Sequence, residues 1–167
     1  MKKKNKNYFS IDKPYFLAEI GVNHNGSIVR AKQLIKSAKA NGASGVKFQT
    51  YKAELLADKK TPKVSYQKQS NKENESHYEM LKRLELSENQ HKILKNYCDK
   101  IKIDFISTPY DVDSAKFLLK LGVPFFKTAS ADLIDIPLHE FISSSGKPVA
   151  ISVGMALTKE IEFILNI

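Results

Sequence analysis

The sequence carries a single cysteine, Cys98, among 167 residues, which excludes a disulfide framework and fits a reducing cytoplasm. Cys98 lies in "ILKNYCDK", a helical pattern, so its thiol is expected to pack rather than react. No apolar run approaches the roughly 18 residues of a membrane span, and no membrane partner is expected. The start, "MKKKNKNYFS", is basic, but the apolar stretch of a secretory leader does not follow it. Arginine is scarce as well. Of 27 basic residues only Arg30 and Arg83 carry the forked guanidinium that reads bases and phosphates. The formal charge of +9 is spread over lysines on helix faces, apart from the N-terminal cluster, with no aromatic-rich basic stripe. Solvated surface lysine is therefore the better account, with no nucleic-acid partner and a modest attraction for small anions.

Two further signals are missing. None of His24, His77, His91 and His139 pairs with another histidine at ligand spacing, so no metal site is expected. In "NHNG", an Asn-Gly turn leading into a helix accounts for His24 better than a metal does. Gly26 and Gly42 form neither a dinucleotide nor a P-loop fingerprint.

What is present is a rhythm. Five short stretches rich in β-branched and aromatic residues recur: "YFLAEIG", "GVKFQT", "IDFIST", "PFFKTAS" and "PVAISVG". Helical patterns alternate with them. One runs from Ser27 to about Ala40, with Ile28, Ala31, Ile35 and Ala38 on one face. The next starts at the Ser87–Gln90 capping box and buries Ile93, Leu94 and Tyr97. Others span about Asp111–Leu121, ended by Gly122, then Ile136–Ser144 and Thr158–Asn166. Strand then helix, five times over, predicts parallel βα units in one domain, with strands in sequential order and helices outside. The polar segment from Ala53 to Asn74 breaks the rhythm. A functional lid or substrate wall and plain disorder fit it equally.

Polar residues collect at the carboxyl ends of these strands: Glu19, then Lys47 and Gln49, Ser107 and Thr108, Lys127 and Ser130, and Ser152. Lys47 and Gln49 share a face with no apolar reason to be buried, whereas Val46 and Phe48 occupy the other face. In a (β/α) barrel the carboxyl ends form the catalytic mouth, and in an open α/β sheet they border the ligand crevice. Two lysines and three hydroxyls converging there suit a small anion carrying phosphate and carboxylate. Glu19 adds a carboxylate suited to proton transfer or water activation. Taken singly, each residue is also explained as a structural partner, and Lys127 with Glu19 as a buried ion pair. The shared bias of five strand ends favours a site.

The motifs "AEIGVNHNG", "GVKFQTYKAE", "ISTPYD", "FFKTASADLIDIPL" and "GKPVAISVGM", in this order, resemble the sialic acid synthase family. The resemblance implies a TIM (β/α) barrel, here incomplete at about five βα units. It divides the chain into a basic segment, residues 1–14, and a partial catalytic barrel, 15–167, without the last strands or the C-terminal antifreeze-like domain. It implies condensation of phosphoenolpyruvate with an N-acetylated aminosugar such as N-acetylmannosamine, releasing phosphate, in a homodimer. By motif, Lys47, Thr108, Lys127, Ser130 and Ser152 would bind phosphoenolpyruvate. Gln49 and Asp132 would face the sugar, and Glu19 would handle the proton or the attacking water. A divalent metal, Mn²⁺ or Mg²⁺, is implied too, but its two histidine ligands fall beyond Ile167.

Three departures stand out: Asp132 replaces the family's usual Glu, Val153 replaces the commoner Thr, and a full barrel needs eight units and about 250 residues. A split or truncated fragment that at most binds phosphoenolpyruvate-like anions is the alternative. "GVNHNG" and "SHYEMLKRLELS" look more like neuraminate and legionaminate synthases than pseudaminate ones.

Overall fold

The computed structural model describes residue 8 and residues 14–59 and 75–167. Strand β1 (Leu17–Gly21), helix α1 (Ile28–Ala40) and strand β2 (Gly45–Thr50) form the first βαβ unit. A short turn of helix, α2 (Ala53–Leu56), and α3 (His77–Leu84) precede α4 (Glu88–Ile101) and β3 (Asp104–Pro109). Then come α5 (Val112–Leu121), β4 (Phe126–Thr128), a 3-10 turn (Ser130–Asp132), α6 (Ile136–Ser144), β5 (Val149–Ile151) and α7 (Thr158–Leu165).

Local chemistry sets the helix starts. Ser27, Asp111 and Asp135 each accept a backbone N–H from the first turn of the following helix. Ser76 with Glu79 and Ser87 with Gln90 form reciprocal capping boxes, satisfying donors that a helix start otherwise leaves unpaired. "NHNG" is the expected turn: Asn25 and Gly26 have φ of 50° and 75°, and the Gly26 N–H donates to His24 Nδ1 at 3.0 Å.

Every strand pair is parallel and sequential. The five strands do not share one ladder, however: β1-β2-β3 form one sheet and β4-β5 another. β4 has three residues, and its ladder runs along β5. Pro124 and Pro148 sit just before β4 and β5, where a missing N–H costs little.

The core lies between the sheet and the helices. Val46, Phe48 and Phe105 pack against Ala31, Ile35, Leu94, Cys98, Ala115 and Leu118, and the rings of Phe48 and Phe105 stack at 5.3 Å. Cys98 is fully buried there, and burial pushes its thiol up to about 12, so it is an inert packing residue. Ile93 departs from the expected buried face and is exposed. The buried stripe of α4 is His91, Leu94 and Cys98, one position off the predicted one because the histidine, not the isoleucine, turns inward.

The other face of the sheet starts apolar and becomes charged. At its amino-terminal end Tyr15 packs edge-on against Phe125 and donates to Asp104 Oδ2 at 2.9 Å. Gly45 is required at this level. A Cβ there would come within 2.5 Å of the Tyr15 hydroxyl and 2.8 Å of Ile106 Cδ1.

Candidate active site

Lys47 stands in the middle strand of the first sheet, in register with Glu19 on β1 and Ile106 on β3. Alternation turns its side chain away from the helices, as it does for Gln49 and Thr108, which are register partners. The Lys47 ammonium lies 2.9 Å from Glu19 Oε2 and donates to Thr108 Oγ1 at 2.9 Å. The pair is uneven: the Lys47 side chain is 11% exposed and that of Glu19 55%. Solvent around Glu19 screens the attraction, so the pair adds little to the fold. A bulge between Glu19 and Gly21 ends the β1 ladder. Gly21 has φ of 52°, and a Cβ there would sit 3.1 Å from Glu19 Oε1. The bulge thus aims the carboxylate while leaving it room.

Lys127 approaches from the second sheet. Its ammonium donates to the Thr128 carbonyl at 2.9 Å and to the Ser152 hydroxyl. Both partners are neutral. Burial, then the nearby Lys47 charge, holds its pKa below the usual lysine range, with Glu19 opposing. The Lys47 charge thus reaches the Lys127 ammonium, while the carboxylate paired with Lys47, Glu19, is half-exposed, an arrangement suited to an anion.

Ser130 and Asp132 lie past β4 on the 3-10 turn, not on the strand itself. The Ser130 hydroxyl lies beside Gly154, in the loop after β5: a Cβ on that glycine would be 3.6 Å from Ser130 Oγ. Asp132 is half-buried, and its Oδ2 has no hydrogen-bond partner. Burial, with help from Asp135, pushes its carboxyl up to about 6. His139 on α6 is buried and donates from Nε2 to the Asp132 carbonyl at 3.1 Å, tying the turn to the helix. Sequence reasoning passed over this positioning role, although the three-residue step from Ile136 to His139 put both on one helix face.

One expected member of the set faces the other way. Ser107 is fully buried on the helix side, where its hydroxyl lies 2.7 Å from Thr50 Oγ1. Thr50 in turn lies 2.9 Å from His91 Nε2, and His91 Nδ1 lies 3.0 Å from the Ser87 carbonyl. A carbonyl only accepts, so Nδ1 carries the proton, Thr50 donates to Nε2 and Ser107 donates to Thr50. Strand alternation separates Ser107 from Thr108. A pocket of about 190 Å³ opens on this outer side, lined in part by Thr50, Lys52, Leu55, His91, Asp111 and Phe117. None of the candidate site residues borders it.

Two tyrosines were missed. Tyr110 follows Pro109 at the end of β3 and is held by its N–H to the Thr50 carbonyl at 3.1 Å. Its ring meets that of Tyr51 edge to face at 6.0 Å. Tyr51 is buried and donates to the Leu81 carbonyl at 3.1 Å, pinning α3 over the strand ends. Glu85 strengthens that junction by accepting from Lys52 at 3.2 Å and from the Ala53 N–H at 3.0 Å. The polar excursion from Ala53 to Asn74 therefore begins as a turn of helix and is followed by a docked one. Residues 60–74 lie outside the described residues, so the lid and disorder readings are not compared there. The cue for Tyr110 was its place at a strand end, overlooked because an aromatic reads first as core.

Among the described residues no three His, Cys, Asp or Glu side chains gather to hold a metal. Glu19 is committed to Lys47, and Asp132 alone does not supply the oxygen shell of a divalent cation. These residues do not fit the metal that the resemblance implies.

Parallel βα units with ammonium and hydroxyl groups at the carboxyl ends of the strands define an α/β protein whose polar groups lie where folds of this class take their ligands. Its lineage is specific: residues 34–167 match the NeuB family, and the chain belongs to it. The N,N'-diacetyllegionaminic acid synthase of Legionella pneumophila is 41% identical over 152 residues, 91% of this chain and 43% of that enzyme. The N-acetylneuraminate-9-phosphate synthase of Mus musculus is 36% identical over 84% of this chain and 39% of its own length. The solved N-acetylneuraminic acid synthetase of Leptospira borgpetersenii, in complex with citrate, superposes with a TM-score of 0.79 at 32% identity. The match covers 93% of this chain and 50% of that one. The chain thus spans half or less of the length of these relatives.

Proposed function

We propose that this chain is the phosphoenolpyruvate-binding part of a sialic acid synthase, built as an incomplete (β/α) barrel over residues 15–167 behind a basic segment, 1–14. The reaction joins the enol carbon of phosphoenolpyruvate to the aldehyde carbon of an open-chain N-acetylated aminosugar. Water then adds to the cationic carbon left behind, and the C–O bond to phosphate breaks. The observation that carries this reading is the convergence of Lys127 on the Lys47 side of the strand ends, where the Lys47 charge helps hold the Lys127 ammonium below the usual lysine range. Phosphate and carboxylate on one small molecule relieve that repulsion.

In this reading Lys47 and Lys127 neutralise the anion, while Thr108, Ser130 and Ser152 donate to its oxygens. Glu19 leaves Lys47 for the proton of the attacking water, and Gln49 and Asp132 hold sugar hydroxyls. No step is assigned to the Mn²⁺ or Mg²⁺ that the family implies. A cytoplasmic homodimer is the setting this reading proposes, and no described helix is long and apolar enough to cross a membrane. A second reading is that the chain binds phosphoenolpyruvate-like anions without turning them over.

Titrating phosphoenolpyruvate by calorimetry against the wild type and Lys47→Met tests the common core of both. The substitution keeps the apolar stem and removes the charge. We expect at least about tenfold weaker binding, equivalent to roughly 1.4 kcal/mol. Unchanged affinity with a lowered melting temperature would make Lys47 a structural ion.

A further inference from the structure

The outer pocket between the starts of α4 and α5 takes part in no step of the proposed reaction. It holds about 190 Å³, and a cavity of roughly 150 Å³ is enough for benzene. Its wall is mainly apolar: Leu86 and the rings of His91 and Phe117, which meet edge to face at 5.6 Å. Leu55 stands at the mouth and is 66% exposed. Most polar groups of the lining are already paired within the fold. Thr50 bonds to His91, both Asp111 oxygens accept from Ser114, Tyr51 donates to the Leu81 carbonyl and Lys52 pairs with Glu85. Glu88 and Asp113 differ. Each meets an exposed lysine, Lys92 at 3.9 Å and Lys116 at 2.9 Å, and neither lysine lines the pocket. Exposed pairs of this kind are weak and exchange readily.

We propose that this pocket is a binding site for a small organic cation, a single ring carrying an ammonium group on a short arm. The inference is independent of the proposed anion site, since none of that site's residues borders the pocket. The ring enters between Leu55, Leu86 and Phe117 and removes their surface from water. The ammonium stays at the rim, where Glu88 and Asp113 accept from it in place of Lys92 and Lys116. Charge decides against an anion. The starts of α4 and α5 both border the pocket, and each carries the equivalent of roughly half a positive charge. Glu88, Asp111 and Asp113 bring three carboxylates to the same lining, and Lys52 is offset by Glu85 at 3.2 Å. The carboxylates outweigh the dipoles. A neutral ligand would fill the ring position and leave the rim carboxylates unused.

The test is an NMR titration of the whole isotope-labelled chain at neutral pH with benzylamine, benzyl alcohol and benzoate. The three share a ring and differ in the charge of its substituent. We expect benzylamine to bind at least about threefold more tightly than benzyl alcohol, the scale of an exposed charge pair. Benzoate should bind most weakly. The shifted amides should centre on Leu86, Ser114 and Phe117, not on Lys47 and Thr108. In Glu88→Gln/Asp113→Asn the preference for benzylamine should shrink below about 1.5-fold, while benzyl alcohol binds as before. Leu55→Ala, at an exposed position, should weaken both by at least about twofold through lost apolar contact. Benzoate binding as tightly as benzylamine, a preference that survives the double substitution, wild-type affinities in Leu55→Ala, shifts centred on Lys47, or no saturable shift with benzylamine would each overturn the proposal. If the double variant does not fold, as judged by urea unfolding, the order of the three ligands on the wild type decides.

Discussion

The two faces of the β2–β3 pair carry polar groups in neighbouring residues, and they treat them differently. On the helix side, Ser107, Thr50 and His91 close a chain of hydrogen bonds that ends on the Ser87 carbonyl. Each of these groups is neutral, buried and paired. Thr128 Oγ1, on β4 of the second sheet, is by contrast buried without a partner. On the opposite face, Lys47 leans on a half-exposed carboxylate, Lys127 on neutral oxygens, and Asp132 Oδ2 on nothing. A closed network rigidifies a core. An open one, in which like charges approach and a buried oxygen stays unpaired, costs stability that only a ligand returns. That contrast separates a structural histidine on α4, packed on one face of the sheet, from a candidate binding lysine on the other face of β2.

The largest effect should come from breaking the closed side. His91→Ala removes the ring that accepts from Thr50 and donates to the Ser87 carbonyl, and opens a cavity beside Phe105 and Phe117, the rings His91 meets edge-on. We expect a loss of about 3 kcal/mol in urea unfolding. A loss under about 1 kcal/mol, the worth of a single exposed contact, would mean the network is not structural.

Acid should separate the faces next. Burial holds His24 down from 6.5 to about 4, and His91 is held down in the same direction. As pH falls through that window the unfolded chain binds protons that the folded chain refuses, so stability drops. Asp132 has the opposite sign. Its carboxyl rises from 3.8 to about 6, so the folded chain binds the proton first and stability is lost as pH rises through that range. Asp132→Asn should therefore steepen the loss of stability between pH 6.5 and 4, read from urea midpoints at the two ends. A shallower slope would reverse the assignment.

Much of this was legible in the sequence because it depends on local chemistry. The helix starts at Ser27, Ser87 and Asp111, the helices that follow them and the parallel βα order follow from neighbours in the chain. The charged strand ends were legible too, since Lys47 and Gln49 have no apolar reason to alternate with Val46 and Phe48. Ser107 was grouped with Thr108 at one strand end because composition does not state which of two adjacent hydroxyls points inward. Ile93 was mistaken for core because an isoleucine and a histidine compete for one stripe, and the histidine found partners in Thr50 and the Ser87 carbonyl. The gap between β3 and β4, the docking of α3 through Tyr51, and the pairing of His139 with the Asp132 carbonyl depend on long-range geometry that no spacing encodes.

The central claim is that the face opposite the helices binds an anion and the helix side does not. Calorimetric titration of phosphoenolpyruvate into Lys127→Met and Ser107→Ala tests it with one substitution on each face. The account predicts at least about tenfold weaker binding for Lys127→Met, and affinity within about twofold of wild type for Ser107→Ala. Wild-type affinity in Lys127→Met, or the same loss in both variants, would contradict it.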